Sequence, residues 1–129
     1  MSASILIIED DVPSQTLARY LLEAAGHRTL AASDGVQGVA LAMSEPVDLI
    51  MCDLHMPLMN GFEVLKKLKS TPAWNRVPLI AVTASSMMGD RESILAAGFD
   101  GYISKPITPE LFVGQLEAFL GSKAVGEPP

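Results

Sequence analysis

Residues 5–11 read Ile5-Leu6-Ile7-Ile8-Glu9-Asp10-Asp11, a short apolar run that stops abruptly at three carboxylates. An unbroken apolar run of this length suits a strand covered on both faces. The same kind of run recurs outward from it, at Thr29–Ala32, Leu49–Cys52, Leu79–Val82 and Tyr102–Ser104. Longer amphipathic stretches separate the runs. The first helix is expected over about Pro13–Ala25, with Leu17, Leu21 and Leu22 on one face and Gly26 as its stop. The second, Gly35–Ser44, follows Asp34 with Gln37 three residues on, the pattern of a capping box. The third, Gly61–Ser70, opens at Asn60 with Glu63 behind it. It should turn Phe62, Leu65 and Leu68 inward and Lys66, Lys67 and Lys69 outward. The fourth, about Met87–Ala97, stops at Gly98. The fifth opens with Thr108-Pro109-Glu110, a cap followed by proline at the first helical position, and runs to about Leu120.

Strand and helix therefore alternate five times, which implies an α/β fold with helices on both faces of a parallel sheet and right-handed crossovers. Runs one, three and four are purely apolar and suit the centre. Runs two and five carry or adjoin polar residues (His27, Arg28 and Thr29; Tyr102 and Ser104) and suit the edges. Strand order 2-1-3-4-5 satisfies both conditions. It places a topological switch point between strands one and three, and ligands in such sheets bind beyond the carboxyl ends of the strands there.

Composition narrows the function classes. The 129 residues, 13.7 kDa, make one domain able to bury roughly two-thirds of its unfolded surface. Residues 1–120 are read as that domain. Gly121–Pro129, rich in glycine and proline, is read as a flexible tail or the start of a linker. A hydrophobic content of 49% with 19% charged residues argues for a packed globule. The net charge of −6 repels phosphate backbones, so nucleic acid is not an expected partner. The longest charge-free run, Val77–Gly89, is shorter than the roughly 18 residues of a membrane span. No basic residue precedes the first apolar run and acids follow it at once, unlike a secretory signal. Cys52 is the single cysteine and cannot form an internal disulfide, so a reducing cytoplasm is the expected location.

The carboxyl ends of the strands carry the chemistry. Glu9, Asp10 and Asp11 follow strand one, Asp53 follows strand three, Thr83 follows strand four and Lys105 follows strand five. Two like charges about 4 Å apart at an effective dielectric near 20 repel by about 4 kcal/mol. Such a cluster needs a proton, a metal or an ammonium. An all-oxygen set on a wet rim favours Mg²⁺. Lys105 adds positive charge and Thr83 a hydroxyl donor, which together make a site for a phosphoryl group. Asp53 is the natural nucleophile, since carboxylates form aspartyl phosphates.

At this point the chain resembles the receiver domain of two-component response regulators. The resemblance covers about residues 4–120. It rests on Ile5–Asp11 (ILIIEDD), Cys52–Gly61 (CDLHMPLMNG), Val82-Thr83-Ala84 and Gly101–Pro106 (GYISKP), in the family's order and spacing. It implies a flavodoxin-like doubly wound (βα)5 fold. It also implies a signalling domain that assists only its own phosphorylation and dephosphorylation, rather than an enzyme. By resemblance, Asp53 is the phosphoacceptor, and Glu9 and Asp10 hold Mg²⁺, Asp10 directly and Glu9 through water. His55 contributes only a backbone carbonyl to the metal. Thr83 is the switch hydroxyl, Lys105 the phosphate-binding lysine and Tyr102 the aromatic switch. Pro106 follows a cis peptide bond. The implied donor is a phosphohistidine on a sensor histidine kinase or histidine phosphotransfer protein. The implied output is a changed surface on helix four, strand five and helix five, read by a downstream protein or a linked output domain. Homodimer formation is left open. Glu9 replaces the commoner Asp and Asn60 stands where many members have Asp, while His55 and Ser85 occupy positions that tune dephosphorylation.

Plainer roles suit several residues. Asp11 is expected to cap the first helix. Tyr102 has the alternative of packing on helix five from an edge strand. His27 and His55 are expected to bind no metal, and Cys52 to pack as a small apolar residue. Trp74 should cover an end of the core, and Met87 and Met88 suit either core or a partner surface. Three other functions compete. A haloacid dehalogenase-like aspartyl-phosphate phosphatase wants an Asp where His55 stands. A phosphorylation-independent docking domain predicts loss of one or more of Asp10, Asp53, Thr83 and Lys105, and all four are present. A flavodoxin-like cofactor binder wants a hydroxyl- or glycine-rich loop where Glu9-Asp10-Asp11 would repel phosphate.

Overall fold

The computed structural model of the chain describes residues 2–71, 77–84 and 88–125. Its strands are β1 (Ser4–Ile8), β2 (Arg28–Ala32), β3 (Leu49–Asp53), β4 (Leu79–Thr83) and β5 (Gly101–Ser104). They alternate with helices α1 (Val12–Ala24), α2 (Gly35–Ser44), α3 (Gly61–Lys69), α4 (Met88–Ala97) and α5 (Pro109–Val125). All strands pair in parallel in the order β2-β1-β3-β4-β5, with the two less apolar runs at the edges. β3 and β4 are buried throughout, as strands covered on both faces must be. The register sets Ile8 beside Cys52, Asp53 beside Val82 and Thr83 beside Ser104. The carboxyl ends of the four strands β1, β3, β4 and β5 therefore finish on one rim.

Alternate side chains feed two cores. Leu6, Ile8, Ile50, Cys52 and Ala81 pack beneath α2, α3 and α4 with Ala42, Val64, Leu68 and Ile94. Ile5, Ile7, Met51, Ile80 and Val82 pack beneath α1 and α5 with Ala18, Leu22, Phe112 and Leu116. Each fully buried aliphatic side chain contributes about 1.5–3 kcal/mol relative to exposure. α2 lies close to β1 because Gly38 has no side chain; a Cβ there would stand 2.5 Å from Ile8 Cδ1.

The helix ends follow local chemistry. Asp11 caps α1 by accepting from the Ser14 N–H, and Asn60 and Glu63 form a reciprocal capping box on α3. Gly26 and Gly98 adopt φ of 95° and 120° just past α1 and α4, where a side chain would be strained.

Four sequence expectations need correction. Leu17 is solvent-exposed, and Ala18 with Leu22 forms the buried row of α1. A small residue in that row lets the helix approach the sheet. Phe62 is likewise exposed on α3, while Val64 joins Leu65 and Leu68 inside. The Phe62 ring instead meets Phe99 edge-on, centroids 5.7 Å apart. At α2 the Asp34 carboxylate caps Gln37, but the Gln37 amide oxygen accepts from the Ser33 N–H rather than closing the box on Asp34. Finally, α5 passes Leu120 and continues to Val125, because Gly121 adopts helical backbone and no proline follows until Pro128. Trp74, Ser85, Met87, the side chain of Met88 and residues 126–129 lie outside the described residues. Among those described, no helix is long and apolar enough to cross a membrane.

Candidate functional site

The end of β1 turns Glu9 back into the protein. Its side chain is 3% exposed, and its Oε2 accepts from the Asp11 N–H at 3.1 Å. The backbone here is tied to β2, since Glu9 N–H donates to Ala32 O at 3.0 Å. Gln15 on α1 spans the same two strands, its Nε2 donating to Glu9 O at 3.0 Å and Ala32 O at 3.2 Å. Asp10 is left exposed beside the cluster. The Asp11 carboxylate is engaged with Ser14, which holds that carboxyl below the usual range.

β3 delivers Asp53 as its last residue, buried at 6% exposure. Oδ1 accepts from the His55 N–H at 3.1 Å, while the His55 imidazole is on an exposed residue. Oδ2 lies 3.1 Å from Lys105 Nζ, and the same ammonium lies 2.8 Å from Glu9 Oε1. Lys105 reaches this point from the end of β5, its N–H donating to Thr83 O at 2.8 Å and its peptide to Pro106 cis. Thr83 is buried at the end of β4. Gly61 closes the underside, since a Cβ there would stand 2.8 Å from Asp53 O.

Carboxylate oxygens of Glu9, Asp10 and Asp53 lie within 4.8 Å of one another. The set is all oxygen, the donor type that a hard divalent cation such as Mg²⁺ takes. The electrostatics follow from crowding. Burial pushes the Glu9 carboxyl up to about 7; the Lys105 hydrogen bond pulls it back and Asp53 pushes it further. Burial works against the charge on Lys105, but its hydrogen bonds to Glu9 and Asp53 outweigh that and raise it overall. The Cys52 thiol, buried beneath two carboxylates, is pushed far up and stays protonated.

Further round the rim, Tyr102 is half-buried on β5 with the Arg91 guanidinium 5.4 Å from its ring centroid. His27 is buried elsewhere. It accepts from the Ala3 N–H at Nδ1 and meets Glu117 through Nε2 at 2.8 Å, so it ties the residue preceding β1 to α5. The structure thus brings together Glu9, Asp10, Asp53, Thr83 and Lys105, with Tyr102 on the neighbouring strand. Two contributors escape sequence reasoning. Gln15 looks like any polar residue in a first helical turn, and the His55 amide carries no side-chain signal.

Comparison with known proteins agrees with this geometry. The response regulator receiver domain family matches residues 5–117. The polar-differentiation response regulator DivK of Brucella ovis is 39% identical over 121 residues, spanning 94% of this chain and 98% of its own. The receiver domain of the sensor histidine kinase PA1611 from Pseudomonas aeruginosa is 32% identical with a TM-score of 0.85, over 95% of this chain and 100% of that one. That structure has a magnesium ion coordinated in its active-site cleft. The chemotaxis response regulator CheY4 of Vibrio cholerae superposes with a TM-score of 0.86 at 26% identity, over 92% of this chain and 98% of that one. The chain belongs to the response regulator receiver domain family, the signalling domain of two-component systems.

Proposed function

We propose that this receiver accepts a phosphoryl group on Asp53 from a phosphohistidine donor, a sensor histidine kinase or a histidine phosphotransfer protein. The observation that carries the reading is the Lys105 ammonium standing between Asp53 Oδ2 and Glu9 Oε1, next to an oxygen cluster that includes Asp10. A carboxylate oxygen of Asp53 forms the new P–O bond as the donor P–N bond breaks, and the departing imidazole nitrogen keeps the electron pair. Lys105 then faces the charge gathering on the phosphoryl oxygens, and the Thr83 hydroxyl donates to one of them. The His55 N–H holds the other Asp53 oxygen, so the nucleophile is aimed before the donor arrives. Asp10, Asp53, Glu9 and the His55 carbonyl would hold Mg²⁺, which would supply positive charge against the phosphoryl oxygens.

The proposed output runs through Thr83 and Tyr102. Thr83 moving toward the phosphoryl group vacates space beside Tyr102, whose ring turns inward and shifts the α4-β5-α5 surface toward a partner-binding form. The partner is a downstream protein or a linked output domain. A free, buried Cys52 and an acidic surface suit a reducing cytoplasm and a protein partner rather than nucleic acid. Intact-mass analysis after mixing with a small phosphodonor tests the proposal. One added phosphoryl group is expected, dependent on Mg²⁺ and absent in Asp53→Asn. Modification that persists in Asp53→Asn, or that needs no divalent ion, would refute it.

A further inference from the structure

The half-buried ring of Tyr102 has a neighbour that the phosphoacceptor chemistry does not use. Tyr102 pairs with Ala81, and Ser104 pairs with Thr83. Paired residues of adjacent strands share a face, and side chains two apart along a strand do too. Tyr102 and Thr83 therefore lie on the same face of the sheet, the one packed beneath α4, where Ala81 and Ile94 are buried. The ring can travel along that face only by leaving its present place. In that place the Arg91 guanidinium, on an exposed residue in the first half of α4, stands 5.4 Å from the ring centroid. A guanidinium at this range is attracted to an aromatic face, and the attraction is lost once the ring turns away.

We propose that Arg91 is a positioning residue that latches Tyr102 in its resting place and so sets the threshold of the switch. The inference rests on the phosphoacceptor reading of Asp53. A latch that favours the resting form opposes every ligand that favours the activated one, by the same factor. Removing it should make the chain respond more readily to a phosphoryl group while leaving the acidic site untouched, since Arg91 belongs to α4 and not to the rim. A cation–π contact at an exposed position corresponds to a factor of roughly two to five in such an equilibrium.

The test uses beryllofluoride, which mimics a phosphoryl group on a carboxylate, titrated calorimetrically in saturating Mg²⁺. Arg91→Ala should bind it roughly two- to fivefold more tightly than the unsubstituted chain, and Arg91→Lys should fall between. In a Tyr102→Leu background the same Arg91→Ala change should have no effect. With 3-fluorotyrosine incorporated, Arg91→Ala should also shift the Tyr102 ¹⁹F resonance and leave that of Tyr20 in place. Unchanged or weaker binding by Arg91→Ala overturns the latch, and so does a gain that persists in Tyr102→Leu or an unmoved Tyr102 resonance. Failure of the unsubstituted chain to bind beryllofluoride overturns the phosphoacceptor reading instead, and the latch with it.

Discussion

Lys105 and Glu9 decide how the site behaves without a phosphoryl group. Three charged side chains meet there, and the ammonium bridges two buried carboxylates. Lys105→Met leaves those carboxylates facing each other. At pH 8 the variant should lose roughly 2 kcal/mol in urea unfolding, less than for a fully buried pair because the amine keeps some solvent contact. The loss should shrink at pH 5.5, where Glu9 carries a proton; a loss independent of pH would mean that packing, not charge, is responsible. Glu9 itself makes a signed prediction. Its folded carboxyl titrates near 7 against an ordinary value of 4.5, so the folded chain binds the extra proton between those limits. Stability from this group is fully present below about 4.5 and is lost as pH rises through about 7, by at most about 3 kcal/mol. Metal-free protein should therefore unfold at higher urea at pH 5 than at pH 8 as far as this group is concerned, and Glu9→Gln should flatten that difference. A proton on Glu9 removes negative charge from the oxygen cluster, so apparent Mg²⁺ affinity should climb with pH and level off above about 7, as read by calorimetry.

The elements matter because they carry these residues to one rim at fixed spacing. α2 shows how little slack there is. Gly38→Ala would improve helix propensity by about 1 kcal/mol, yet its Cβ would stand 2.5 Å from the fully buried Ile8 Cδ1. Overpacking of that kind costs about 1–3 kcal/mol. The variant should therefore melt below the parent in a calorimetric scan, and a higher melting temperature would show that α2 can slide on β1. The caps on α1 and α3 were legible from Asp11 and from Asn60 with Glu63, because a cap is a contact between near neighbours in sequence. The buried row of α1 was not. Leu17, Leu21 and Leu22 are all apolar, and which of them faces the sheet depends on how close Ala18 lets the helix come.

At the scale of the molecule, the chain carries a net charge of −6 and gathers three carboxylates at the switch point of its sheet. A cation that binds only the folded form stabilises it by mass action, about 1.4 kcal/mol at ten times its Kd. Added Mg²⁺ should raise the unfolding midpoint accordingly, and Asp10→Asn should abolish most of the rise while raising the metal-free midpoint, since it removes one of three crowded carboxylates. A rise that survives in Asp10→Asn would place the ion elsewhere. Much of this architecture was written in the chain itself. The central strands are unbroken apolar runs, the edge strands are not, and Glu9, Asp53, Thr83 and Lys105 stand at the carboxyl ends of β1, β3, β4 and β5. Those features are local, fixed by hydrophobic period and by position along the polymer. The direction of each side chain was decided only in three dimensions. The chain order did not reveal that Lys105 would bridge Glu9 and Asp53, that Gln15 would lace β1 to β2, or that Arg91 would stand over Tyr102. Each of those contacts joins separate elements, and its geometry exists only once burial has set the distance between them.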